Sequence, residues 1–557
     1  MNSEDFRKAA HSAIDESNYQ TFPFLVPIPN AGVVIDYYDN IEERRVVSNV
    51  EPGYLRKLLP QGPPNEGEQW ADIQKDIEAK IMPGLTHWQS PNFMAFFPAT
   101  ATYPSMLGEL YSAAFTAPAF NWLCSPAVTE LETIVLDWLA RILHLSSCYL
   151  SEGEGGGVIQ GSASEAVVTV MVAARERYLH TISTDVSDQD REDRIAHIRG
   201  RLVALGSEQC HSSIAKAALI AGVRHKAIPC DLSDDLALTG EKLLAALEEC
   251  KREGLHPFFL STTLGTTATC ATDRFPEIAD VMKLSPEIWV HVDAAYAGPV
   301  LLLKEYMHLT TPFAVFDSFN FNMHKWLLTN FDASCLFIRH RKDLTSALSI
   351  TRSYLSNAFS DSGLVTDYRD WQIPLGRRFR ALKIWFVLRT YGVNGLKAHV
   401  RKHIAMGEKF AGWIRERGDL FAIVAPPAYA LTVFTVSPRP HTTLQNVDSP
   451  KGPKINEGLA TSNILPQPPT TSSSNNPDQL DRTNALTKTI YERIIAAGEI
   501  FLTSGVVNGV YTIRVVSANE RADEAHLRKA FEISVRTAEE VIREEMGMEV
   551  GGGKGGL

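Results

Sequence analysis

One lysine stands out. In DSFNFNMHKWLLTNFDAS, Lys325 follows His324 in a short polar break between apolar stretches, where an ordinary core offers an ammonium group no partner. A lysine held away from water shifts toward its neutral amine, and a neutral amine is a nucleophile that condenses with an aldehyde. Taken singly, most lysines instead lay their stems on apolar surface and keep the charge in water. Two further features favour the chemical reading. Asp293 ends the apolar run IWVHVDAAYAG, and the carboxyl end of a parallel strand opens into the ligand crevice of such sheets. A carboxylate there can pair with a protonated ring nitrogen. Upstream, GGGVIQGSASEA leads from glycines through small hydroxyl residues into a helix, whose first N–H groups can hold a phosphate. That segment lacks the GK[ST] of a nucleotide P-loop and is weak evidence alone.

The elements that must position these residues are readable in outline. The chain has 557 residues, 45% hydrophobic and 21% charged, which predicts two or three folded domains and excludes a mostly disordered or fibrous chain. Between 86 and 390, β-rich runs at 201, 257, 288 and 334 alternate with helical patterns, predicting an α/β domain with a mainly parallel sheet. Residues 1–85 read as helical segments, with the apolar, proline-bearing stretch 21–34 as an insertion or subunit contact. Residues 391–548 read as a small α+β domain. It has a strand at 429–436, a helical face of Leu486, Ile490 and Ile494, a hairpin turning at Asn508 and Gly509, and a last helix with Leu527, Phe531, Ala538 and Ile542. Its insertion at 437–482 is crowded with Pro, Ser, Thr and Asn and is expected to be disordered, as is the tail 549–557.

The same composition excludes several classes. Lys plus Arg number 54 against 65 Asp plus Glu, a net charge of −11, so no basic surplus drives binding to nucleic acid or anionic lipid. Seven dispersed cysteines without a CxxC pair or zinc spacing suit a reducing compartment and predict no metal site. The amino end carries no apolar signal core, and no long uncharged apolar run could span a membrane, so a cytoplasmic location is expected.

Lysine, strand-end aspartate and phosphate cradle together match what pyridoxal 5'-phosphate requires. The motifs VEPGYL, MPGLTHWQSPNF, SPAVTELE, GGGVIQGSASEA, HVDAAYAG, NMHKW and TDYRDWQIPLGRRFRALKIW extend the match. Over about 50–436 and 478–548 the chain resembles the aromatic L-amino acid decarboxylases, group II pyridoxal phosphate enzymes of fold type I. The resemblance implies an aspartate aminotransferase-like large domain, a helical dimerisation segment over 1–85 and a homodimer with shared active sites. It implies that Lys325 carries the cofactor and Asp293 holds its ring nitrogen. Ala163, Ser164, Asn322 and His324 would take the phosphate, His211 would stack on the ring, and Thr267 and Ala295 would line its sides. Tyr354, in a Ser- and Asn-rich lid segment, would give the product its proton, with Phe120 and that lid supplied by the partner. Trp88, Phe96, Phe97, Pro118 and Phe120 would form an apolar wall for a flat ring, and Gly376 stands where relatives that accept indoles carry Gly.

The expected reaction is decarboxylation of an aromatic L-amino acid, foremost tryptophan or 5-hydroxytryptophan to tryptamine or serotonin. DOPA, tyrosine and phenylalanine are secondary candidates. The alternatives are an aromatic acetaldehyde synthase, in which relatives typically carry Phe where Tyr354 stands, and a catalytically silent fold relative acting as a scaffold.

Overall fold

Strands rich in Val, Leu and Phe that are apolar on both faces need helices on both sides, and this chain supplies them. A computed structural model describes residues 2–5, 7–9, 30–184, 187–350, 359, 365–437, 477–545 and 547. Seven strands form its larger sheet: β1 (Gly156–Gln160), β2 (Leu202–Ser207), β3 (Arg224–Ile228), β4 (His256–Thr263), β5 (Trp289–Asp293), β6 (Ser318–Asn322) and β7 (Ser334–Ile338). Their order is β1-β7-β6-β5-β4-β2-β3, parallel from β6 to β3, with β7 antiparallel to both its neighbours. This is the mainly parallel α/β sheet that the alternation of elements predicts. Along β2, Leu202 and Ala204 face the helices Ala163–Thr181 and Ser213–Ala221, while Val203 and Leu205 enter the opposite core with Val290, Val292, Phe319 and Phe321.

A second sheet of four antiparallel strands contains β8 (Phe421–Ile423), β9 (Leu431–Val436), β10 (Thr503–Val507) and β11 (Val510–Val516), in the order β10-β11-β9-β8. The β10–β11 hairpin turns at Asn508 and Gly509, whose φ values of 46° and 83° give the turn the twist of its strands. Helices Pro477–Ala497 and Glu524–Glu545 pack on this sheet through Leu486, Ile490, Ile494, Leu527 and Phe531. One helical run with a kink at Gly392, Arg380–Glu416, extends from the large sheet's core to this one.

Two expectations need adjustment. The insertion expected over 437–482 ends earlier, because 477–482 begin the helix Pro477–Ala497: proline is accommodated in a first helical turn, and Leu486 and Ile490 bury the face that follows. Residues 438–476 and the tail 549–557 lie outside the described residues. In the 21–34 stretch, residues 21–29 lie outside them too, whereas Asn30 starts a helix reaching Asp39, from which Ile35 and Tyr38 pack on Tyr103 and Leu107. Among the described residues no helix is long and apolar enough to cross a membrane, and no acidic, His or Cys cluster is placed to hold a metal.

A buried ion pair ties the helix before β1 and β1 itself to the segment leading into the long helix Arg380–Glu416. Glu132 and Arg377 side chains, each 1% exposed, pair through two bonds of 2.6 and 2.9 Å, and Glu132 also accepts the Ile159 N–H at 2.9 Å. Removing one partner strands the other charge in the interior, at a cost of about 3–5 kcal/mol. Arg377→Met should therefore lower stability by that order in urea titrations, and Glu132→Gln added to it should recover part of the loss. A single variant as stable as the parent would contradict this role.

Behind Lys325, Trp326 donates its indole N–H to His403 Nδ1 at 2.9 Å, and His399 Nε2 donates to the Trp326 carbonyl at 3.0 Å. Burial pushes His399 down to about 4, whereas an unfolded histidine titrates near 6.5. Between those values only the unfolded chain takes up the proton, so this contribution is complete above about pH 6.5 and is lost as pH falls. Urea midpoints should drop from about pH 7 to about pH 5, and His399→Leu should flatten that dependence by roughly 2 kcal/mol. An unchanged slope would refute the neutral, buried ring.

Candidate active site

Strand β6 ends at Asn322 and the chain turns at once into the one-turn helix Met323–Trp326, which sets Lys325 at the carboxyl end of the parallel strands. The turn is pinned from outside: Thr100 donates its N–H to the His324 carbonyl at 3.0 Å and its hydroxyl to the Lys325 carbonyl at 2.6 Å. Lys325 Nζ lies 5.5 Å from the centre of the Phe97 ring. Among the described residues it makes no hydrogen bond or ion pair. Burial lowers its pKa, with the charge of Asp293 opposing the shift. The contrast is Lys383, a buried lysine pushed down to about 8, whose Nζ is committed to the Glu109 carboxylate at 2.9 Å. Of the two, Lys325 has the amine free to react.

Asp293 is the last residue of β5 and 5% exposed. One of its oxygens accepts the Ala295 N–H at 3.0 Å, and the Ala295 carbonyl in turn accepts the Asn322 N–H at 3.0 Å. The Asp293 charge is felt at both Lys325 and His211, so lysine, aspartate and histidine share one crevice. His211 Nδ1 accepts the Ser213 N–H at 3.1 Å, which leaves the proton of the neutral ring on Nε2.

The glycine-rich segment forms β1, a turn and the helix Ala163–Thr181. Ser162 Oγ accepts the Glu165 N–H at 3.1 Å and the Glu165 carboxylate accepts the Gly161 N–H at 2.9 Å. A Cβ on Gly161 would stand 2.7 Å from that carboxylate and would push it off the Gly161 N–H. With Glu165 capped, the Ala163 and Ser164 N–H groups remain at the open end of the helix. Asn322 Oδ1 is buried without a protein partner among the described residues. His324 Nδ1 accepts the Ala333 N–H at 2.8 Å, and burial lowers the ring's pKa to about 3, so it is neutral with its proton on Nε2.

The candidate wall is only partly gathered. Phe97 stacks on Tyr296 at 3.7 Å, and Tyr296 on Trp326 at 4.9 Å, which fixes Phe97 beside Lys325. Trp88 and Phe96 belong to a separate aromatic group with Phe93 and Phe501. Pro118 and Gly376 are exposed, Phe120 is half-buried, and a Cβ on Gly376 would meet nothing within 4 Å. Among the described residues none of Trp88, Phe96, Pro118, Phe120 and Gly376 has a ring or hydrogen-bond contact with Lys325, Asp293 or His211. Tyr354 lies outside the described residues. Thr267 is exposed on the loop after β4, and its carbonyl accepts from Arg514 NH2 at 2.5 Å while Ala268 accepts from Arg514 Nε at 2.9 Å. Sequence reasoning overlooked Arg514, Tyr296 and Thr100. For Arg514 there was a signal, a charged residue inside the otherwise apolar strand VYTIRVV.

An uncommitted amine, a buried carboxylate, helix-start N–H groups and an unpartnered Asn322 oxygen fit the aldehyde, ring nitrogen and phosphate of pyridoxal 5'-phosphate. Similarity to known proteins agrees. The family model described as the pyridoxal-dependent decarboxylase conserved domain matches residues 52–437. The aromatic-L-amino-acid decarboxylase of Mus musculus is 38% identical over 98% of this chain and 100% of its own. The phenylacetaldehyde synthase of a Rosa hybrid cultivar is 37% identical over 97% of this chain and 95% of its own. The crystal structure of Catharanthus roseus tryptophan decarboxylase in complex with L-tryptophan superposes with a TM-score of 0.78 at 34% identity, covering 97% of this chain and 99% of the other. Matched over most of its length and carrying the crevice such a cofactor needs, this chain belongs to the pyridoxal-dependent decarboxylases of fold type I and is an enzyme that uses pyridoxal 5'-phosphate.

Proposed function

We propose that the enzyme decarboxylates aromatic L-amino acids to amines, with tryptophan and 5-hydroxytryptophan as preferred substrates and DOPA, tyrosine and phenylalanine as secondary ones. The observation that carries this reading is the uncommitted, desolvated Lys325 amine in one crevice with Asp293 and the aromatic face of Phe97. A flat apolar side chain is suited to that face. Similarity to the tryptophan-bound plant enzyme supports the indole preference.

In this reading Lys325 holds the cofactor aldehyde, Asp293 its ring nitrogen, and His211, Thr267 and Ala295 its ring. Ala163, Ser164, Asn322 and His324 hold its phosphate. When bound, the cofactor supplies an electron sink for the pair released as the carboxylate leaves. The chain's own work is orientation and proton handling. Neutral His324 offers an Nε2–H to an anion without adding charge, and Nε2–H of His211 faces the crevice as a donor. Tyr354, a phenol protonated at neutral pH, gives a proton to the substrate Cα.

The enzyme works as a homodimer in the cytoplasm, with Phe120 and the Tyr354 lid completing the partner's site and the 1–85 segment in the contact. Phe115 and Phe331 are both 60% exposed, large apolar surface of the kind a subunit interface covers.

A second reading, oxidative conversion to an aldehyde, is favoured by the rose relative, whose identity to this chain is nearly that of the mouse decarboxylase. Product analysis separates them. Purified holoenzyme given a panel of aromatic amino acids should release amine and carbon dioxide, with tryptophan turned over fastest; ammonia, hydrogen peroxide and aldehyde in place of amine would refute the proposal. Tyr354→Phe should cut amine output about 100-fold or more and yield aldehyde, whereas unchanged output would remove Tyr354 as donor. Mixing inactive Lys325→Ala and Tyr354→Phe subunits should restore amine formation, because one site per mixed dimer is then complete. No recovery would contradict the shared site.

A further inference from the structure

The sheet face that carries Asp293 changes character along its strands. Toward the start of β4 and β5 it is apolar, with Phe259 and Trp289 packed beneath the helix Ala163–Thr181. Toward the carboxyl end the register sets Ser261 beside His291 and Ser318, and Thr263 beside Asp293 and Asn320. All of these side chains are buried, at 0–5% exposure. Yet among the described residues Ser261 Oγ, Thr263 Oγ1, His291 Nε2 and Asn320 Nδ2 have no protein partner. Buried polar atoms are almost always bonded, and four orphans on one face of three neighbouring strands, at the end where Asp293 stands, call for a shared partner.

The proton count says what that partner is. Trp289 donates its indole N–H to Ser318 Oγ at 2.8 Å, so the Ser318 hydroxyl is free to donate to His291 Nδ1, also at 2.8 Å. The His291 ring is neutral, pushed down to about 4 by burial, and its proton then sits on Nε2. Nε2–H and the Asn320 amide are two donors, two hydroxyls can donate or accept, and Asp293 has one oxygen beyond that taken by Ala295. A polar pocket with this many donors and acceptors is what a buried water needs, since such waters make about three hydrogen bonds.

We propose that His291 is a positioning residue for Asp293: with Asn320, Ser261 and Thr263 it holds ordered water that donates to the Asp293 carboxylate and fixes its direction. The inference rests on the assignment of Asp293 to the cofactor's ring nitrogen and deepens it. The water transmits the rigidity of β4 and β6 to a carboxylate that, among the described residues, has only the Ala295 N–H as a protein donor.

The test uses full-length holoenzyme. His291→Leu should raise the cofactor dissociation constant about tenfold, the order of one hydrogen bond to a charged group, and shift the visible absorption of the bound cofactor. His291→Gln, which keeps a donor at the reach of Nε2, should stay within about threefold of the parent with its spectrum unchanged. A crystal structure of the unmodified holoenzyme should show the water between His291 Nε2 and Asp293. A dry pocket, or Leu and Gln variants that behave alike, overturns the proposal while Asp293→Asn still loses the cofactor. If Asp293→Asn binds cofactor as the parent does, the assignment of Asp293 falls, and this inference with it.

Discussion

The structure depends on a contest at one nitrogen. Taking the Lys325 amine out of water favours its neutral form, and the Asp293 carboxylate nearby favours the charged one. Burial dominates, and the amine keeps a lowered pKa without being bound to any protein group among the described residues. Most of the surroundings serve that balance. Thr100 and Trp326 pin the turn on either side of the lysine, and Phe97 offers a ring face in place of an ion pair. Lys383 shows the usual fate of a buried lysine, a direct pairing with a carboxylate.

The large sheet supplies the geometry. Parallel strands bring Asp293 and Asn322 to one edge, and the helix after β1 brings its open N–H groups to the same edge. The β11 strand of the second sheet reaches into this arrangement through Arg514, whose guanidinium holds the Thr267 and Ala268 carbonyls and lies 5.6 Å from the Phe97 ring. The crevice is therefore built from both sheets, and the long kinked helix Arg380–Glu416 braces it through His399 and His403.

Much of this was legible in the chain. The runs around 201, 257, 288 and 334 are strands because apolar residues bury both their faces over most of their length, and Asn508–Gly509 marks its hairpin by backbone conformation alone. Strands β1, β3 and β6 escaped notice for physical reasons. GGVIQ opens on glycines, RHKAI is an edge strand with a polar face, and SFNFN alternates because its polar face carries Asn320 and Asn322 to the site. Lys325 and Asp293 were readable because charged residues at the ends of apolar runs demand a reason. The partners of Lys325 were not. Thr100, Tyr296 and Arg514 act through distant contacts, and no local pattern announces that a threonine carbonyl-binding turn or a stacked tyrosine will meet a lysine far along the chain. The aromatic wall was the least legible, since Trp88 and Phe96 serve another aromatic cluster in the same chain.

The central claim is that Lys325, not another buried lysine, takes the cofactor aldehyde. Reduction of the holoenzyme with borohydride, followed by proteolysis and mass spectrometry, tests it directly. The account predicts a phosphopyridoxyl mass on the peptide bearing Lys325. An unmodified Lys325 peptide, or the mass on Lys383, would contradict it.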